Sequence, residues 1–163
     1  MMNMMSPATI KQVLWSILAV FLGVLAGGMV VGIADIPGYF LHPPPPDFDM
    51  NDLAAVKAHA AKAPLLAQLG LAVAWGLGPL AGAMVACLIA RRSYWVHGAI
   101  IGGIFILADV SNYWIPTPLW LMVAGVLLPP ITATLGAALA QRLFPPKTGG
   151  PQRYDMREKN MAC

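Results

Sequence analysis

Four runs of this sequence, 13–34, 65–90, 98–115 and 119–141, are apolar over a length that matches a lipid bilayer. A membrane-crossing helix needs about 20 mostly apolar residues, each advancing about 1.5 Å. Hydrocarbon offers no water to backbone N–H and C=O groups, so each run must close its hydrogen bonds within itself as a helix. The expected fold class is all-α: a four-helix transmembrane bundle with a short helix in its long outer loop. Charge content agrees, since 10% of residues are charged and 58% hydrophobic, whereas a soluble domain carries about 25% charged residues.

The charges also orient the bundle. Lys11, Arg91, Arg92, Arg142, Lys147, Arg153, Arg157 and Lys159 flank one side, and Lys57 and Lys62 the other. The positive-inside rule then places both termini in the cytoplasm of a multi-pass protein of the cell inner (plasma) membrane. The expected division is a cytoplasmic N-terminus over 1–12, a four-helix domain over 13–142 with its outer loop at 36–64, and a disordered basic tail over 143–163. The first run exceeds the apolar core of about 7–15 residues in a cleaved signal peptide, so it is read as a span. The net charge of +3 sits at the ends and in one short loop, which argues against a nucleic-acid partner. Cys87 and Cys163 stand far apart and suggest neither a disulfide framework nor a metal site.

The outer loop reads "IPGYFLHPPPPDFDMNDLAAVKAHAAKAP". Residues 43–46 are four prolines, expected as an extended polyproline II spacer. A short helix follows, with Asp49 as its N-cap and Asp52 three places on. Met50, Leu53, Val56 and Ala60 share one side of it, a face expected to rest on the interface or cap the bundle. Asp47, Asp49 and Asn51 imitate the start of a calcium loop. The pattern fails at Asp52, where glycine is required, and at Ala58, where glutamate is required. His42 and His59 are expected to be solvated, and no metal site is assigned.

Small residues four apart mark close helix contacts. Gly78 and Gly82 mark the second span, Gly98 and Gly102 the third; Gly23, Gly27, Gly28 and Gly32 give the first a similar stripe. Asp109 shares the glycine face of the third span, and Asn112 lies one turn on. Counted from Gly98, Asp109 falls near the middle of the bilayer, where an ionised acid costs about 2.5–3.5 kcal/mol. Pro79 in the second span and Pro129-Pro130 in the fourth free backbone carbonyls at the same expected depth. Two readings follow. In one, these residues form a midplane polar site for a proton or cation. In the other, Asp109 is satisfied by Asn112, Ser111 or a freed carbonyl. Asp35, Tyr39 and His42 are candidates at the outer face.

No catalytic residue or cofactor is assigned, because the sequence has no histidine pair at i, i+4, no nucleophile elbow and no phosphate loop. His97 beside the arginines is expected at the interface. The stretches "GYFLHPPPP" (38–46), "AWGLGPLAGAMVACLIARR" (74–92) and "PTPLW" (116–120), with Asp35 and Asn112, resemble a family of small bacterial four-helix membrane proteins with a Pro-Pro-Pro outer loop. Tyr39 stands where that group carries histidine, and His42 where it carries tyrosine. The resemblance implies topology and supplies no mechanism. Three functions stay open: a non-enzymatic membrane or envelope module or partner subunit, a small-solute or proton-coupled pathway using Asp109, and an enzyme on a lipid-like substrate. The expected partners are the bilayer and either a second copy or another membrane protein.

Overall fold

A computed structural model describes residues 7–145. The tail expected over 143–163 falls almost wholly outside the described residues, as do the first six residues of the N-terminal segment. Five helices follow one another: α1 (Pro7–Leu41), α2 (Leu53–Ala60), α3 (Leu65–Ala90), α4 (Tyr94–Ser111) and α5 (Leu119–Leu143). The fold is an all-α bundle, and α1, α3, α4 and α5 are each long and apolar enough to cross a membrane.

The helix ends depart from the hydropathy boundaries for physical reasons. The first helix spans 35 residues, against the expected 13–34. Pro7 opens it, a position where the missing N–H costs nothing, and Asp35 and Pro37 lie inside it. Apolarity marks where lipid begins and ends, whereas a helix continues while its residues permit. The third span, expected at 98–115, instead begins at Tyr94, directly after a three-residue turn, and ends at Ser111. There Ser111 Oγ and Asn112 Nδ2 both donate to the Ala108 carbonyl, at 2.7 and 2.9 Å. Pro116 then disfavours helix at the residue before it.

The outer loop differs in two details. The proline run is not extended throughout: Phe48 N–H donates to the Pro45 carbonyl at 3.1 Å, closing a turn over Pro46 and Asp47. Asp52, not Asp49, caps α2, accepting from Ala54 N–H at 2.9 Å. Asp49 accepts from the backbone and side-chain amides of Asn51, making a local turn before the helix.

Packing is organised around α3, which touches α1, α4 and α5; α1 meets α4 only lightly. Antiparallel α1 and α3 meet at paired glycines. A Cβ added at Gly23 would lie 2.6 Å from the Gly82 carbonyl oxygen, and one at Gly27 would lie 2.6 Å from that of Gly78. Gly98 and Gly102 do the same for α4 against α5, at Ala137 and Ala133 and at Pro130 and Ala133. Gly136 brings α5 onto the Leu80 backbone of α3. The core between these contacts is built of Ala83, Ala86, Ile101, Phe105 and Ala133. Large apolar side chains, among them Leu14, Phe21, Met29 and Ile33, face outward, as lipid permits. Gly28 and Gly32 face outward as well, with nothing within 4 Å of an added Cβ.

The two kinds of α1 glycine should respond oppositely to one methyl. Gly23→Ala overpacks the α1–α3 seam and should lower stability in detergent by about 1–3 kcal/mol. Gly28→Ala enters open space and removes a helix-weakening glycine, so it should be neutral or stabilising by up to about 1 kcal/mol. Thermal unfolding of the two variants side by side reads the difference; equal losses would mean that the seam does not depend on these contacts.

Candidate functional site

Two polar features emerge, both toward the end of the bundle that carries the 36–64 loop. The first is Asp109. The register of α4 on α5 runs antiparallel, with Gly98 against Ala137 and Gly102 against Pro130. Continued, it sets Asp109 level with residues just after Met122. Asp109 lies two residues before the end of α4, roughly 22 Å along the helix from Tyr94. It is therefore not at the depth of Pro129, which packs at Gly102, nor of Pro79, which adjoins the Gly78 contact with Phe105. The expected midplane cluster of Asp109, Pro79, Pro129 and Pro130 separates into an acid near the loop end and prolines one to two turns deeper. The displacement follows from the earlier start and end of α4.

The expected satisfaction of Asp109 by its neighbours is also absent. Ser111 and Asn112 are exposed, and both side chains are committed to the Ala108 carbonyl. Asp109 itself is 6% exposed, and its buried Oδ2 has no hydrogen-bond partner among the described residues. Tyr113 stands beside it, and burial together with the Asp109 carboxyl pushes the Tyr113 phenol above its ordinary range. The Tyr113 hydroxyl donates to the Met122 carbonyl. It and the Trp75 ring cover Gly125, each 3.0 Å from where a Cβ would stand. Tyr113 thus ties the α4–α5 turn to α5, and Asp109 is enclosed beneath that tie.

The second feature is a cavity of about 320 Å³ under α2, at the small end of the range of roughly 300–1,000 Å³ that holds small molecules. It brings together all three outer-face candidates, Asp35 and Tyr39 from the last turns of α1 and His42 from the residue that follows the helix. Phe48, Val56 and His59 form its loop wall, and Gln68 and Leu71 of α3 its far side. Residues 42 and 59 are distant in sequence, and the turn at Pro46 folds them together. Their rings stack at 4.0 Å with 9° between planes. His42 Nε2–H donates to the His59 carbonyl at 3.0 Å; a carbonyl only accepts, which fixes the proton on that nitrogen. Phe48 adds a tilted contact to His59 at 5.1 Å. The two histidines are therefore parts of the lid, each still half-exposed. Lys57 anchors the other side of α2 with its ammonium 6.0 Å from the Trp114 ring centroid. Of the apolar face expected on this helix, Val56 and Ala60 turn to the cavity; Met50 before the helix reaches its rim but is largely exposed, and Leu53 is exposed and does not line it.

At the opposite end, His97 lies in the first turn of α4 beside the arginine turn and is 3% exposed, packed inside the bundle. Its Nδ1–H donates to the Ser93 carbonyl at 3.0 Å. Its burial in the bundle was not legible in the sequence, because it is decided by the turn that precedes α4. Among the described residues, no group of three histidine, cysteine or acidic side chains could hold a metal ion. No protein-family model matches the chain, and neither a curated protein nor a solved structure is significantly similar to it.

Two outcomes follow from this geometry. A buried polar atom without a partner costs about 1–3 kcal/mol, so Asp109→Leu, of similar volume, should raise stability in detergent by about 1 kcal/mol. A loss of that size would mean that the carboxyl has a structural partner. The second concerns pH. Desolvation, then the neighbouring His42 and Lys62, hold His59 below its ordinary value of 6.5. The unfolded loop then binds more protons than the folded one, so the seat of α2 is firmest above that value and loosens as pH falls through the lowered one. Spin labels on Ala58 and Thr117, introduced as cysteines, should show a broadened distance distribution at about pH 5 compared with about pH 7.5. His59→Phe, which keeps the stack and cannot titrate, should abolish the change.

Proposed function

We propose that this chain is a multi-pass module of the plasma membrane, without catalytic chemistry of its own, that holds a small and largely apolar molecule under the α2 lid. The arginine end is taken to face the cytoplasm, by the excess of Arg91, Arg92 and Arg142 over the lysines of the loop. The loop, its lid and the cavity then lie on the outer face, as in the group of small four-helix proteins that the sequence resembles. The observation that carries the reading is the cavity itself: α1, α2 and α3 border it on three sides, and residues from a loop and two helix ends converge on it.

The polar groups on its wall define the occupant. Gln68 Nε2 already donates to the Ala63 carbonyl at 2.9 Å, and His42 Nε2 is committed to His59. What is left to a guest is the Asp35 carboxyl, the Tyr39 hydroxyl and the remaining ring nitrogens of His42 and His59, a set rich in acceptors with the phenol as its one hydroxyl donor. The fitting molecule has an apolar body and one or two N–H or O–H donors. A partner protein could then sense an occupied or empty lid. The test is the small-molecule content of protein purified in mild detergent, extracted and read by mass spectrometry. A species present in the wild-type chain should fall about tenfold, or about 1.4 kcal/mol of affinity, in Ala67→Phe, which fills the cavity from α3. Identical extracts from the two proteins would overturn the reading.

A second reading rests on the unpartnered Oδ2 of Asp109. Enclosed acids in membrane helices commonly mark ion paths, and Asp109 would be the protonation site of such a path. Proteoliposomes carrying the wild-type chain would then pass protons, and Asp109→Asn would stop them. Tight vesicles with the wild-type chain leave the lid reading alone.

A further inference from the structure

The arginine end carries a separate cleft, of about 390 Å³, between α1 and α4. It exists because α1 packs on α3 and α4 on α5, leaving the α1–α4 seam thin. Its wall changes character along its length. At the mouth stands Arg92, whose guanidinium donates to the Gln12 carbonyl at 3.0 Å and to Ser16 Oγ at 3.2 Å. A guanidinium has five N–H donors in a fork that suits phosphate oxygens, so donors remain. Deeper in, the wall is aliphatic: Ile17 and Val20 from α1, Val96 and Ile100 from α4.

Two further groups converge on the mouth. The first turn of α4 has no acidic residue and no side-chain cap, so the positive end of the helix dipole lies at the mouth through Ser93, while the Val96 and His97 N–H groups already donate to the Ser93 carbonyl. His97, which also lines the cleft, is nearly fully buried. Its Nδ1–H is committed to Ser93, which leaves Nε2 unpartnered among the described residues. No carboxylate among the described residues opposes them. Asp35, Asp47, Asp49, Asp52 and Asp109, the acids among the described residues, all lie toward the loop end.

We propose that this cleft binds one phospholipid with an anionic headgroup. Its phosphate sits on Arg92, Ser16 and the N-terminus of α4, with Nε2 of His97 toward the glycerol. One acyl chain runs along Ile17, Val20, Val96 and Ile100. The aliphatic wall selects a lipid over a free phosphate ion, because a soluble anion would fill the mouth and leave the rest bare. The net positive mouth selects an anionic headgroup over a zwitterionic one.

The test uses the full chain in mild detergent, with native mass spectrometry and thermal unfolding after addition of phosphatidylglycerol, phosphatidylcholine or inorganic phosphate. Phosphatidylglycerol should remain bound and raise the unfolding temperature, and the other two should do neither. Arg92→Gln should reduce retention of phosphatidylglycerol about tenfold, while Arg142→Gln, at the exposed end of α5, should not. Ile100→Trp leaves Arg92 in place and fills the aliphatic wall, and should cause a similar loss. It decides the matter if Arg92→Gln does not fold. Equal retention of both lipids would overturn the proposal, as would stabilisation by inorganic phosphate that matches the lipid, or unchanged retention in Ile100→Trp.

Discussion

The backbone contact between α1 and α3 is the constraint on which the rest of the bundle depends. In lipid there is no hydrophobic force to press helices together, so association rests on close van der Waals fit and on polar contacts. Gly23 against Gly82 and Gly27 against Gly78 let the two longest helices touch backbone to backbone. Phe105 of α4 closes over the Gly27–Gly78 pair, and Ile101 over Gly23 and Gly82. The same α3 face that accepts α1 therefore also sets where α4 can lie. Because α3 is held on one side by α1 and on the other by α5, α1 and α4 are left with a thin seam. The cleft at the arginine turn follows from that arrangement, where α4 diverges from α1, while the other cavity lies under the loop that leaves the end of α1.

Much of this was legible before the structure, and what was not shares a cause. Hydropathy located the four spans because it reports directly on lipid contact. It could not locate helix ends, since Thr9, Lys11 and Gln12 are polar and still helical, as are Asp35 and Pro37. The misplacement of Asp109 descends from that single limit: moving α4 four residues toward its N-terminus carries the acid from mid-bilayer to near the loop end. Asp49 and Asp52 are equally good caps by composition, and the choice fell to whichever begins the segment that packs. The His42–His59 stack was beyond reach, because it depends on a turn inside a proline run that favours extension. The small-residue stripes named the right helices without naming the right glycines. Gly27 is packed and Gly28 is bare, and the sequence distinguishes them only once the partner helix is known.

The two ends of the bundle have opposite chemistry. The loop end collects the described acids and a ring of aromatic and imidazole side chains, closed by α2. The arginine end has no described acid and lies open along α1 and α4. A molecule recognised at one end would be repelled or ignored at the other, which argues that the two cavities serve different ligands. Asp109 belongs to neither cavity. A partnerless buried carboxyl opposes folding, and a bundle with this much close helix contact can carry the cost. Its enclosure beneath Tyr113 places it against the tie that holds the α4–α5 turn to α5.

The arginine turn shows how backbone strain and ligand chemistry are linked at the other end. Arg91 and Ser93 both adopt left-handed conformations, with φ of 48° and 47°, each costing about 1–2 kcal/mol in a residue other than glycine. Such strain persists where the surroundings fix it. Here Cys87 Sγ donates to the Tyr94 carbonyl at 3.4 Å, and the Tyr94 hydroxyl donates to that of Phe144 at 2.6 Å, pinning the start of α4 against α3 and α5. A glycine at 91 or 93 would relieve the turn and free it to move. The two strained residues instead hold Arg92 between them, aimed back at the Gln12 carbonyl and Ser16 of α1. The guanidinium is thus presented by a rigid turn above an aliphatic cleft, and the strain in the backbone is the cost of keeping it there.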